Sequence, residues 1–188
     1  MNSKIKVLIA VGGTGGHVFP GYNLAKHLAN NDFSIELVTD KRGFKYLSTF
    51  KYFKISILPS YTISTNNYFT SFFSLTLIFF SVLRSLFYLI FNRPKIIFGM
   101  GGYASFPICI AAYILRIKFI IYENNLIIGK ANKYLLPFTE KVLVSNTELT
   151  GIPNKFSHKI FKIGNIIKKE IIEFSKEKNE KTKTQVLS

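Results

Sequence analysis

The chain has 188 residues, with 25 Lys and Arg against 10 Asp and Glu, and a formal net charge of +15. Its single cysteine excludes an intramolecular disulfide framework, and its length suits one α/β domain with a substantial core. The basic balance points to an anionic partner, but the lysines form no dense tract before the C-terminal tail. No RNA-binding or helix-turn-helix signature occurs either, so nucleic acid is not the expected partner.

Residues 5–11, Ile5-Lys6-Val7-Leu8-Ile9-Ala10-Val11, predict a buried strand. This run is too short for a signal peptide, and a cytoplasmic setting is expected. It feeds Gly12-Gly13-Thr14-Gly15-Gly16-His17, a glycine loop at 12–17 whose N–H groups can face an anionic or polar ligand. A helix is predicted at 18–30, and its N-terminus adds a partial positive charge. The loop is neither of the two common phosphate motifs. Val18 stands where G-x-G-x-x-G requires glycine, and no Lys-Ser/Thr follows.

Further strands are predicted at 34–39, 54–58, 95–99, 118–122, 141–145 and 159–163. Helices are predicted at 43–50, 69–91, 107–116, 129–136 and 167–178. This alternation implies a parallel sheet covered on both faces. The loops at 12–17, 99–105 and 123–129 all follow strands, so they should gather at the carboxyl edge of the sheet, where such folds bind ligands. Cys109 lies in an apolar setting with no base beside it and reads as a buried core position. The stretch from Lys176 to Thr184 is polar and of mixed charge, a solvated helix end or linker.

Residues 68–91 carry a single charge, Arg84. At 100° per residue, Thr70, Ser71, Ser74, Ser81, Arg84 and Ser85 share an arc of roughly 140°, and only Thr76 lies outside it. The remaining apolar face is broader than a core helix needs, about 100°. Three readings stand: a spanning helix, a helix lying on a membrane surface, and a core helix.

Four segments in order resemble the MurG family of glycosyltransferases. They are the first glycine loop, Gly99-Met100-Gly101-Gly102-Tyr103-Ala104-Ser105-Phe106-Pro107, Tyr122-Glu123-Asn124-Asn125 (usually His-Glu-Gln-Asn), and Gly164-Asn165-Ile166-Ile167-Lys168 (usually Gly-Asn-Pro-Val-Arg). The resemblance implies a Rossmann-like α/β domain, the N-terminal half of a GT-B glycosyltransferase, over residues 1–168. Residues 169–188 would be a helix or linker toward an absent C-terminal donor-binding domain.

The activity implied is transfer of GlcNAc from UDP-GlcNAc to lipid I, with inversion, to make lipid II in peptidoglycan synthesis. The reaction would run at the cytoplasmic face of the bacterial inner membrane. Residues 68–91 would be the membrane contact, and a polyprenyl-diphosphate-linked sugar the acceptor. The chain alone is expected to be inactive. An alternative is the membrane-recruiting subunit of a split two-polypeptide glycosyltransferase acting on another polyprenyl-linked sugar.

Inverting transfer needs a base for the acceptor hydroxyl. His17 and Glu123 are the candidates. Imidazole exchanges protons near working pH, and Glu123 is open to a structural reading as a cap for local N–H groups. Thr14, Gly15, Gly16, Asn125 and Lys168 match donor-contacting positions. Lys168 keeps the charge of the usual Arg but loses its fork. Gly101, Gly102, Tyr103 and Ser105 match the loop associated with the acceptor diphosphate. No cofactor is expected beyond the donor substrate. No Asp-x-Asp occurs and the three histidines are scattered, so no metal site is expected.

Overall fold

The computed structural model describes residues 4–50, 52–62, 67–146 and 148–166. Lys168, the helix predicted at 167–178 and the linker at 169–188 lie outside them.

The elements run β1 (Lys6–Ala10), α1 (Gly15–Ala29), β2 (Ser34–Thr39), α2 (Lys41–Leu47), β3 (Lys54–Ile57), α3 (Tyr68–Phe91) and β4 (Ile96–Gly99). They continue with α4 (Ser105–Ile114), β5 (Lys118–Glu123), α5 (Lys130–Leu135), β6 (Lys141–Val144), a short 3-10 helix (Asn154–Lys159) and β7 (Ile160–Lys162). The strands form one parallel sheet in the order β3-β2-β1-β4-β5-β6-β7. This is the expected Rossmann-like architecture.

β1 lies in the interior of the sheet, between β2 and β4, because it is apolar on both faces. Leu8 and Ala10 face a core shared with Leu89 of α3, Ile108 of α4 and Leu135 of α5. Val7 and Ile9 face a second core with Val18 and Ala25 of α1 and Leu47 of α2. The period of two along the strand thus divides the helices into two layers. Each such fully buried aliphatic side chain contributes about 1.5–3 kcal/mol of transfer free energy.

Three helix starts differ from the sequence pattern. α1 begins at Gly15, so Gly15, Gly16 and His17 form its first turn and are not part of a loop. Thr14 is extended at φ −122° and ψ 164° and serves as N-cap. Glycine is a poor helix former, but a first turn lacks half its intrahelical bonds in any case. α2 begins at Lys41 because the Asp40 carboxylate accepts the Gly43 N–H at 2.7 Å. α4 begins at Ser105 and places Pro107 in the first turn, where a missing N–H is harmless. The 3-10 helix has no counterpart in the sequence reading.

α3 is packed inside out. Ser74, Ser81 and Ser85 are buried, together with Ile78 and Leu89, and the helix runs along α4. The serine hydroxyls donate back to their own helix: Ser74 to the Ser71 carbonyl at 2.9 Å, Ser81 to Leu77 at 2.9 Å and Ser85 to Ser81 at 2.8 Å. These local bonds neutralise the polar atoms and leave a slim face for close approach. Large side chains point outward, with Tyr68 98% exposed, Phe69 81% and Phe91 82%. Phe72, Phe73, Phe79, Phe80 and Phe87 are exposed as well. By length and composition the helix could cross a membrane. An Asn67–Thr70 capping box fixes its start.

Candidate active site

The first two glycine segments meet at the carboxyl edge of the sheet. A Cβ on Gly12 would lie 2.1 Å from the Ala104 Cβ, so only glycine lets the turn after β1 touch the turn after β4. Gly101 and Gly102 have φ of +88° and +73°, the left-handed region in which side chains are strained. The His17 ring lies across these two glycines. A Cβ on Gly101 would come within 3.0 Å of His17 Cε1 and Nδ1, and one on Gly102 within 3.3 Å of Cδ2. His17 Nδ1 is buried without a hydrogen-bond partner.

Around the ring, the start of α1 is open. Thr14 and Gly16 are exposed, Thr14 makes no side-chain cap bond, and no acidic residue stands in the first turn. Pro20 has no N–H to offer the Gly16 carbonyl. The His17 N–H donates to the Thr14 carbonyl at 3.1 Å, which leaves the Gly15 and Gly16 N–H groups and the positive end of α1 beside His17, an arrangement that favours anionic or polar ligands.

Glu123, the last residue of β5, is in a different position. It is 1% exposed. Its Oε1 accepts the Asn125 N–H at 3.0 Å and the Asn125 Nδ2 at 2.8 Å. Its Oε2 accepts the Gly129 N–H at 2.8 Å and Asn132 Nδ2 at 3.0 Å. The carboxylate thus folds the 123–129 loop around itself and fixes the exposed Asn125.

Of the other predicted residues, Ser105 is fully buried and its hydroxyl donates to the Gly102 carbonyl at 3.0 Å, closing the glycine turn. Tyr103 is half-buried beside it and lines a cleft toward α5. Gly15 and Gly16 stand on the first turn of α1.

Two residues of the site escaped the sequence reading. Asp40 is 4% exposed and accepts from the Gly13 N–H at 3.3 Å, the Gly43 N–H, the Arg42 guanidinium at 3.0 Å and the Ser60 hydroxyl at 3.0 Å. Burial pushes its pKa up, but these donors outweigh burial and hold it below the usual value. It thereby ties the first glycine turn to α2. Asn132 is 2% exposed and donates to both the Tyr122 carbonyl, at 3.1 Å, and Glu123. Its Oδ1, like His17 Nδ1, is buried without a partner. An Asn at a helix position flanked by the buried Ala131 and Leu135 was the available signal.

The departures at Tyr122 and Ile166 turn out to be partners. The buried Tyr122 hydroxyl donates to the Gly164 carbonyl at 3.4 Å and accepts the Ile166 N–H at 3.4 Å. A proline at 166 could not donate that N–H. Cys109 is fully buried, and burial pushes its thiol pKa up. Among the described residues no group of three His, Cys, Asp or Glu side chains could hold a metal ion.

Comparison with known proteins follows the same outline. The N-terminal domain of glycosyltransferase family 28 matches residues 7–144. A relative from Pelagibacter ubique, named UDP-N-acetylglucosamine–N-acetylmuramyl-(pentapeptide) pyrophosphoryl-undecaprenol N-acetylglucosamine transferase, is 34% identical over 169 residues. That alignment covers 90% of this chain and 46% of the relative. A protein of the same name from Rhizobium etli is 36% identical over 171 residues, covering 90% and 45%. The chain therefore spans about half the length of the curated relatives it matches. Among solved structures, Acinetobacter baumannii MurG superposes with a TM-score of 0.70 at 21% identity, covering 86% of this chain and 45% of that one. A glycosyltransferase from Rickettsia africae gives 0.58 at 16%, covering 95% and 50%. At these identities the likeness is one of fold.

Proposed function

This chain belongs to glycosyltransferase family 28, and from that premise we propose that it is the acceptor-side half of an inverting GlcNAc transferase. The donor is UDP-GlcNAc. The acceptor is a muramyl sugar bearing a peptide and joined through a pyrophosphoryl group to a polyprenyl lipid. The observation that carries this reading is the His17 ring lying on the Gly101–Gly102 turn, which joins a proton acceptor to an anion-ready loop at one sheet edge.

In this reading the backbone N–H groups of the Gly101–Tyr103 turn receive the acceptor diphosphate, and Ser105 keeps the turn closed. The sugar's C4 hydroxyl lies toward His17. The imidazole takes the hydroxyl proton, the oxygen attacks C1 of GlcNAc, and the C1–O bond to UDP breaks with its electron pair leaving on the diphosphate. Thr14, the first turn of α1, Asn125 and Lys168 contact the donor. The positive end of α1 stabilises the departing charge. Glu123 acts as organiser of the Asn125 loop, because both its oxygens are engaged by donors. The outward aromatic face of α3 docks the domain on the membrane that carries the acceptor.

Two measurements test the reading. The chain mixed with anionic liposomes at low salt should float with them, and failure to float overturns the docking role of α3. Given lipid-linked acceptor and UDP-GlcNAc, the isolated chain should show no appreciable turnover, and should gain it when assembled with a donor-binding half. Turnover by the chain alone overturns the half-enzyme reading.

A further inference from the structure

A cleft of about 480 Å³ opens between α5 and the 3-10 helix, beyond the second glycine turn. Its walls include Tyr103, Lys130, Lys133, Tyr134, Lys155 and Phe156. The volume is that of a site for a small molecule or a short peptide. Lys130 and Lys133 are three apart on α5 and share a face. Lys155 approaches from the 3-10 helix, with its ammonium 5.1 Å from the centre of the Phe156 ring. Among the described residues none of these three lysines pairs with a carboxylate.

Lys159 behaves differently and shows why the cleft is preformed. Its ammonium donates to the carbonyls of Leu136 at 3.0 Å, Pro137 at 3.2 Å and Thr139 at 2.8 Å. It thereby fastens the 3-10 helix to the end of α5. Three ammoniums without a carboxylate partner and three aromatic walls on a fixed frame make a receptor for an anionic, partly apolar, extended ligand.

The order of elements across the sheet decides which ligand. On this face α3 packs on α4, α4 packs on α5, and the 3-10 helix leads into β7 at the sheet edge. The acceptor proposed above has its parts in a matching order: lipid, diphosphate, sugar, peptide. The lipid end belongs at α3 and the diphosphate at the turn between β4 and α4. The next position outward is the cleft. We propose that the cleft binds the peptide arm of the acceptor, with Lys130, Lys133 and Lys155 taking its carboxylates. This inference rests on the acceptor-side reading. A flat membrane surface has no use for a concave site separated from the apolar face by α4, so an anionic headgroup fits the cleft less well.

The test measures binding of three probes to the 188-residue chain: N-acetylmuramyl-pentapeptide without diphosphate, N-acetylmuramyl diphosphate without peptide, and vesicles containing anionic phospholipid. The triple variant Lys130→Gln, Lys133→Gln, Lys155→Gln alters exposed positions only and should keep the parent's melting temperature. It should bind the pentapeptide probe at least tenfold more weakly, with the other two probes within twofold. Amidating the peptide carboxylates should weaken binding to the unaltered chain by a similar factor. The inference is overturned if the pentapeptide probe is insensitive to the triple variant. It is also overturned if only the diphosphate probe weakens, which makes the cleft a diphosphate site, or only vesicle binding, which makes it a membrane contact. If the unaltered chain binds the diphosphate probe but not the pentapeptide, this inference alone fails. If it binds neither, the acceptor-side reading fails with it.

Discussion

His17 and Glu123 stand at the same edge of the same sheet, yet their surroundings are opposite. The Glu123 carboxylate is buried and receives four N–H donors, two on each oxygen. The His17 ring is half-buried, receives no hydrogen bond, and rests on two glycines that leave room for nothing larger. A group whose lone pairs are all engaged holds structure, whereas the His17 ring, with Nδ1 buried and unpartnered, has only Nε2 to offer a ligand. Being titratable and near a site does not distinguish the two; the inventory of donors does.

The strongest way to break this comparison is His17→Ala in an active enzyme assembled from this chain and a donor-binding half. Turnover should fall roughly 10²- to 10⁴-fold, the usual worth of a positioned base. The melting temperature of the chain should move by no more than about 2 °C, since the ring makes no hydrogen bond. Near-full turnover would remove His17 from the base role.

Glu123→Gln tests the other side. In either amide orientation one acceptor oxygen becomes a donor facing two donors, so stability should fall by about 2–3 kcal/mol, or roughly 4–10 °C. Thermal denaturation of the variant checks this. A native melting temperature combined with lost turnover would reverse the two assignments.

Glu36 sharpens the contrast between neutral and charged partners. It is 3% exposed and bridges Lys6 and Lys54, each at 3.0 Å, with Ser56 at 2.9 Å. Burial raises its pKa, but the Tyr88 hydroxyl, the two ammoniums and Ser56 outweigh burial and bring it to about 2. Because the folded pKa lies below the unfolded one, its stabilisation is complete above about pH 4.5 and is lost as pH falls toward 2. Acid unfolding followed by circular dichroism should show this loss, at most about 3 kcal/mol, and Glu36→Gln should flatten the profile across that window. An unchanged slope would show that Glu36 does not carry the acid sensitivity.

The smallest expected effect is at Tyr122, whose two bonds are long. Tyr122→Phe should lower stability by about 0.5–1 kcal/mol. Ile166→Pro, which removes the donated N–H, should add little in the Tyr122→Phe background. Additive losses in this double-mutant cycle would show that the two residues are not coupled.

The strands were legible because each is a short apolar run bounded by turn residues, and β1 carries its two-sided burial in five consecutive letters. The meeting of the first two glycine loops followed from their place after strands. Helix starts were harder to read. Gly15 and Gly16 look like loop residues when ranked by propensity, although a first turn tolerates them. Asp40 gave no motif, because its partners Gly13, Gly43 and Ser60 are set by tertiary folding. The sequence also showed the serine arc of α3 without telling which face it would bury. That depended on each hydroxyl finding a carbonyl within its own helix, which let a nominally polar stripe be buried.

The placement of β4 has a consequence in time. β4 pairs with β1 at the centre of the sheet, but it is made after α3. A ribosome releasing this chain from its N-terminus therefore delivers a 24-residue apolar helix, ~36 Å long, while β1 still lacks one of its two neighbours. The aromatic face of α3 is exposed to any nearby bilayer before the centre of the sheet is closed, so the surroundings in which the chain is synthesised bear on its folding from the first hundred residues onward.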